Sequence, residues 1–457
     1  MPPMTFLRST LLLAALGSFT TLRAQTAPPS TPDLAIKQMV EAISAKTLEE
    51  DIRKMVSFGT RHTLSDTKSK KRGIGAARSW VESEFKKYAK ASNGRMKVEQ
   101  DTFTVKPDGR RIDKPVVMAN VMATLKGTDP NDKRIIIVSG HLDSRVTDVM
   151  NATADAPGAN DDASGVALVM EMARVMASKQ FPCTLIFVAV QGEEQGLYGS
   201  THMAKRAKAE GWNIVGMLNN DIVGNSTGFD PEIKDPKHVR IFSEGVPATE
   251  TADEAKVRRQ LSSENDSPSR QLARYIKTTG EQYVNDFGVL IEYRPDRFLR
   301  GGDHTPFNQQ GFTAVRFTEV NENFNHQHQD LRTENGIEYG DKPEFVDYEY
   351  LRKNTGVNLA TMASLAWAPA APQNVGVLTA NLTNRTELKW ETPAAGEKPA
   401  GYYVLMRETS SPVWQQKFFV TTTTANLPHS KDNFIFAVAS VDAEGHESLP
   451  VTPKVVR

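Results

Sequence analysis

The stretch TLIFVAVQGEEQGLYGS, residues 184–200, ends an apolar run on two adjacent glutamates. Residues 184–190 are β-branched, aromatic or aliphatic and carry no charge, which predicts a short buried strand. Gly192 breaks the run, and Glu193 and Glu194 follow directly. Two neighbouring carboxylates at the end of a buried strand repel each other and resist desolvation, so a compensating charge is expected beside them.

Outward from this strand the chain keeps one rhythm. RIIIVSG (134–140) and NIVGMLNND (213–221) read as strands, and SGVALVMEMARVMASK (164–179) and LYGSTHMAKRAKAEG (197–211) as helices. The alternation predicts an α/β fold, a mostly parallel mixed sheet covered by helices on both faces. Further strands are predicted over 96–105, 116–125 and 312–319, with helical spacing over 33–57 and 73–91. Residues 225–287 are polar and irregular apart from a helix near SRQLARYIKTT, and are expected to form excursions over the site rather than sheet. In sheets of this kind ligands bind outside the carboxyl ends of the strands.

The 457 residues hold 55 basic and 55 acidic side chains, so no basic field exists to attract nucleic acid or anionic lipid. Residues 1–24, with Arg8 ahead of STLLLAALGSFTTL and Ala24 as a cleavage position, have the pattern of a signal peptide, too short for a membrane span. No other apolar segment approaches the roughly 18–20 residues of a span, so an exported, secreted or periplasmic protein is expected. The one cysteine, Cys183, cannot form an intramolecular disulfide and is expected as a small buried core residue.

Composition changes after AWAPAAPQ, residues 366–373. Short strands at turn-separated intervals follow, among them TELKWE, GYYVLMRE, KFFVTTTT, FIFAVASVD and TPKVV. The expected plan is a catalytic domain over 33–365, a Pro/Ala linker at 366–372 and a β-sandwich over 373–457.

Polar residues gather where the apolar strands stop. His141 and Asp143 follow RIIIVSG, with Asp161 and Asp162 in the loop PGANDDASG beyond them. Glu193 and Glu194 follow TLIFVAV, and Asp221 follows IVGML. Asp303 and His304, in GGDHTPF, lie before the late strand. Singly, each has an ordinary reading as a capped turn, a helix N-cap or a solvated pair. Together at one edge they point to metal. Histidines and carboxylates without thiolate suit zinc or a similar ion, and this set is too large for one tetrahedral ion. Two ions about 3.5–4 Å apart and sharing one carboxylate would use them all.

The five motifs HLD, GANDDASG, GEE, NND and GGDH, in this order over residues 33–365, resemble the co-catalytic dizinc aminopeptidases of metallopeptidase family twenty-eight. That family includes secreted bacterial leucyl aminopeptidases and relatives such as glutamate carboxypeptidases and glutaminyl cyclases. The resemblance implies two zinc ions, one held by His141 and Asp221, the other by Glu194 and His304, with Asp161 bridging. It implies that Asp143 orients His141, that Glu193 is the general base, and that the Asp161–Asp162 peptide bond is cis. Peptides with a free N-terminus would be the substrates. GGDH stands where many relatives have Ser-Asp-His, which leaves the role of Asp303 open.

The same resemblance keeps rivals in view: a glutaminyl cyclase-type acyltransferase with one working zinc, and an inactive binding module on the peptidase fold. The related carboxypeptidases with an inserted dimerisation domain carry a lysine and glycines after the second-motif aspartate, which DDASG does not match. Arg294, Arg297, Arg300 and Arg316 are expected in surface ion pairs, with a substrate carboxylate as the alternative. His326 and His328 have metal-like spacing but fall outside the family's full ligand set, leaving substrate contact as their alternative. The C-terminal segment resembles a fibronectin type III domain, with Trp390 as its core tryptophan and Phe434 in place of the corner tyrosine.

Overall fold

The computed structural model describes residues 27–28, 31–230 and 232–456; the signal-peptide segment lies outside them. Leu34–Glu41 (α1) and Ala45–Val56 (α2) begin at Asp33 and Ser44, whose side chains accept from free backbone N–H groups of the first turn. Ile74–Ala89 (α3) leads into an antiparallel pair, Met96–Val105 (β1) and Val116–Leu125 (β2). The alternating core follows: Arg134–His141 (β3), Ala163–Met176 (α4), Thr184–Val190 (β4), Tyr198–Ala209 (α5) and Asn213–Asn220 (β5). Beyond it lie His238–Ser243 (β6), Ala252–Leu261 (α6), Pro268–Tyr283 (α7), Gly288–Glu292 (β7), His304–Gln309 (α8) and Ala314–Glu319 (β8). A short hairpin, Arg332–Glu334 (β9) and Ile337–Tyr339 (β10), precedes the long helix Tyr348–Trp367 (α9).

The strands form one eight-stranded mixed sheet in the order β1-β2-β4-β3-β5-β8-β6-β7. Its centre, β4-β3-β5-β8, is wholly parallel, so these four strands present their carboxyl ends at one edge. The pleat splits their side chains between two cores. Leu185, Phe187, Ile136 and Val138 pack beneath α4 and α9, while Ile186, Val188, Ile137 and Met217 pack against α5 and α8. Cys183 is fully buried, as expected, and burial pushes its thiol up to about 12.

Two expectations are corrected. Residues 225–287 are not only excursions: HVRIFS forms β6, which pairs with β7 and β8 inside the sheet. Its Val239 and Ile241 alternate into the core, a pattern too short to stand out between polar flanks. Nor does the linker begin at 366, because α9 continues through Ala366 and Trp367. Trp367 stacks on Phe181 at 5.2 Å, and its indole N–H donates to the Gln180 carbonyl. Among the described residues no helix is long and apolar enough to cross a membrane.

The C-terminal strands are Gln373–Leu378 (β11), Thr386–Glu391 (β12), Gly401–Glu408 (β13), Gln416–Val420 (β14), Thr424–Leu427 (β15), Phe434–Val441 (β16) and Lys454–Val456 (β17). They form two small sheets, β15-β12-β11-β17 and β14-β13-β16, around a core that includes Trp390, Tyr402 and Val438. This module is tied to α7. Asp266 accepts two bonds from Arg407 of β13 at 2.8 and 2.9 Å, and Arg274 donates to the Pro412 carbonyl.

Candidate metal centre

The parallel centre of the sheet delivers its polar side chains to one place. His141 ends β3, the Glu193–Glu194 turn follows β4, Asp221 follows β5, and Asp161 comes from the loop that enters α4. The His141 imidazole Nε2 lies 3.0 Å from Asp161 Oδ1 and 3.7 Å from Asp221 Oδ1. The second Asp161 oxygen lies 2.8 Å from His328 Nε2, and Glu194 Oε1 lies 3.1 Å from that same nitrogen. Two clusters result, His141–Asp161–Asp221 and Asp161–Glu194–His328, with candidate ligand atoms within 4.8 Å of one another in each. Asp161 belongs to both.

His304 does not belong to either, which corrects the expected set. It starts α8, and its Nε2 sits 2.8 Å from the Pro295 carbonyl and 3.7 Å from Asp296. His328 takes the expected place, reaching the cluster from the loop after β8. Arg316 is also reassigned: it is fully buried, 2.9 Å from Asp221 Oδ2, rather than in a surface pair. Asp303 is buried, and burial raises its carboxyl to about 7.

Asp143 acts through two different groups. Its main-chain carbonyl lies 3.0 Å from His141 Nδ1, which sets the ring with Nε2 towards Asp161 and Asp221. Its carboxylate instead accepts from the backbone N–H groups of Gly192, Glu193 and Glu194 and from the Thr63 hydroxyl. The glutamate turn is therefore fixed from β3. Asp162 caps α4 through Gly165 N–H and also accepts from His141 N–H, and the bond joining it to Asp161 is cis. Asp341, in the connection after β10, accepts from the backbone N–H groups of Asn160 and Asp161 and so holds the shared aspartate from behind.

Charge balance here is uneven. Burial alone would strip the proton from both imidazoles, yet Asp162, Asp161 and Asp221 hold His141 well above its ordinary range. His328, likewise opposed by burial, is raised to about 10 by Glu194 and Asp161. Asp161 stays well below the usual carboxylate range against its burial, because His328 and His141 face it. Glu193 goes the other way: burial drives its carboxyl well up, with Asp221, Glu194 and Asp303 adding to it and His141 opposing. Glu194 takes a bond from Arg145 on Oε2, and its buried Oε1 faces His328 Nε2 at 3.1 Å. Buried carboxylates gathered on two inward-aimed imidazoles make a donor set that fits divalent metal. Beside it opens a cleft of about 390 Å³ that also exposes Glu193.

Residues 120–340 match the family described as peptidase family M28. A "Probable zinc metalloprotease" of Leptosphaeria maculans is 49% identical over 423 residues, covering 92% of this chain and 97% of that protein. Among solved structures the chain is similar to the LapA aminopeptidase of Legionella pneumophila, with a TM-score of 0.52 and 19% identity over 76% of this chain and 78% of that one. It is also similar to the Macrostomum lignano glutaminyl cyclase, with a TM-score of 0.51 and 16% identity over 74% and 94%. At these identities the structural likeness is one of fold. The chain belongs to peptidase family M28, the zinc metallopeptidase family that its motifs resemble.

Proposed function

We propose that this chain is an exported aminopeptidase that works with two zinc ions and uses Glu193 as its general base. The observation that carries the reading is the pair of three-residue clusters sharing Asp161 beside the cleft that exposes Glu193. His141 and Asp221 would hold one ion, Glu194 and His328 the other, and Asp161 would bridge them. When bound, the ions lower the pKa of a water towards neutral and polarise the scissile carbonyl.

The chain supplies the rest. Asp143 anchors the Glu193 and Glu194 backbone, so one glutamate points to the ligand set while its neighbour faces the cleft. Glu193 accepts the proton of the attacking water and returns it to the departing amine. The substrate's free α-amine would lie among the carboxylates, which confines cleavage to N-termini. The signal peptide would be removed after Ala24, and the C-terminal module is read as a fibronectin type III-like domain.

Glu193→Gln tests the base. It keeps shape and hydrogen bonding but accepts no proton, so turnover should fall at least ~10²-fold with zinc content unchanged. Glu194→Gln should instead lose zinc. Near-normal turnover in Glu193→Gln would remove the assignment, and cleavage of N-acetylated peptides as fast as free ones would remove the aminopeptidase reading.

A further inference from the structure

The cleft beside the metal ligands is lined by four arginines, Arg111, Arg145, Arg297 and Arg300, which come from three separate parts of the chain. The carboxylates on the same walls are Asp161, Glu193, Glu194 and Asp221, equal to them in number. Two divalent ions would neutralise those four carboxylates and leave the guanidinium charge facing the cleft. Glu322 offsets part of it, since Arg297 and Arg300 share its carboxylate at 2.8 and 3.1 Å. Arg145 is occupied with Glu194 and His328.

Arg111 differs from the other three. It stands in the connection between β1 and β2, is exposed, and donates one bond to the main-chain carbonyl of Glu194. Among the described residues no carboxylate pairs with it. Its remaining N–H groups, and the exposed edge of Arg300, are the fork-shaped donors that a carboxylate accepts. Size points the same way. At about 390 Å³ the cleft stands near the lower end of small-ligand sites. An extended dipeptide spans only ~7 Å, so its amine and its carboxylate would lie in this one cleft together.

Resting on the aminopeptidase reading, we infer that Arg111, with Arg300, selects substrates that carry a carboxylate within two residues of the free amine. That carboxylate is either the C-terminus of a dipeptide or the side chain of an acidic residue.

The test uses zinc-loaded Glu193→Gln full-length protein and calorimetry, so binding is read apart from turnover, with steady-state kinetics on the unmutated enzyme alongside. Alanyl-alanine, leucyl-alanine and phenylalanyl-alanine are compared with their C-terminal amides, and alanyl-glutamate amide with alanyl-glutamine amide. A charge-assisted contact should favour the carboxylate form by about 10–100-fold in one arm. The arm that shows it names the source of the carboxylate. Adding Arg111→Gln or Arg300→Gln should collapse the ratio towards one, Arg111→Lys should restore part of it, and raised salt should shrink it. Acid and amide forms handled alike in both arms, while the peptides are still cleaved, overturn the selection and leave the aminopeptidase reading standing. If no peptide is bound or cleaved, both fall.

Discussion

Buried charge is handled in opposite ways at two places in this molecule. Where the C-terminal module meets α7, Asp266 is enclosed by Arg407, which gives it two bonds, and by Arg274 at 3.4 Å. Other guanidinium N–H groups find main-chain carbonyls, as Arg274 does at Asn265 and Pro412 and Arg407 at Ser411, while Arg407 Nε is left without a partner. At the carboxyl edge of the sheet, carboxylates outnumber the arginines that reach them, and imidazoles sit between them. The first cluster closes on itself and fixes a joint. The second sets two shared-ligand clusters beside an open cleft, which is what separates a candidate binding site from a structural pair.

The largest expected effect tests the open cluster. His328→Ala should drop zinc content below two per chain and cut hydrolysis by more than the roughly 10–100-fold that loss of an outer partner costs. His304→Ala, by contrast, should keep both ions. Metal analysis and kinetics on the two variants decide between the ligand the motif suggests and the one the fold presents. If His304→Ala is the variant that loses zinc, the two clusters are assigned wrongly.

A smaller effect tests the closed cluster. Arg407→Ala leaves Asp266 buried with only the more distant Arg274 and Gln271, and should cost ~3–5 kcal/mol in chemical unfolding without lowering zinc content. Replacing the pair together, Asp266→Leu with Arg407→Leu, should recover most of that loss, because no charge is then left unpaired. A double variant no more stable than the single would show that the pair does more than satisfy itself.

Much of the open cluster is legible in the amino-acid sequence. Buried strands announce themselves by apolar runs, and β1, β2 and β4 fall on the residues that the runs predict. His141, Asp161, Glu194 and Asp221 all follow from one rule, that polar residues after a parallel strand collect at its carboxyl edge. His304 is the exception, since it precedes β8. Applied to β8, the same rule points beyond Glu319, into NENFNHQHQD, where His328 lies. Which histidine of that irregular loop reaches the site is set by the path of the loop, and no periodicity records it. The double use of Asp143, through carbonyl and carboxylate, is likewise a matter of tertiary placement. β6 escapes the pattern because six residues of alternation carry little weight between polar flanks.

A third acidic cluster separates surplus acid from cation binding. Asp51 of α2 is 8% exposed, its Oδ2 lacks a hydrogen-bond partner, and no histidine joins it in a metal-binding group among the described residues. Burial first, then Glu171, Glu84 and Glu50, raise its carboxyl to about 7, with Arg174 opposing. Here a proton, not a metal, balances the excess. Because the folded value lies above the unfolded one, near 3.9, the folded chain holds the extra proton between about pH 4 and 7. Stability from this group is therefore complete below pH 4 and is lost as the pH rises through 7. A rise from near 4 to about 7 sets a ceiling of ~4 kcal/mol, of which relaxation and water should leave about 1–2. Asp51→Asn cannot ionise, so its melting advantage over the unmutated protein, absent below pH 4, should be about half developed at pH 5.5 and complete at pH 8.5. Both proteins carry the same zinc ligands, so the pH dependence of metal binding cancels in the difference. A difference that stays flat between those two pH values would mean that Asp51 is already ionised in the fold and has found a cation of its own.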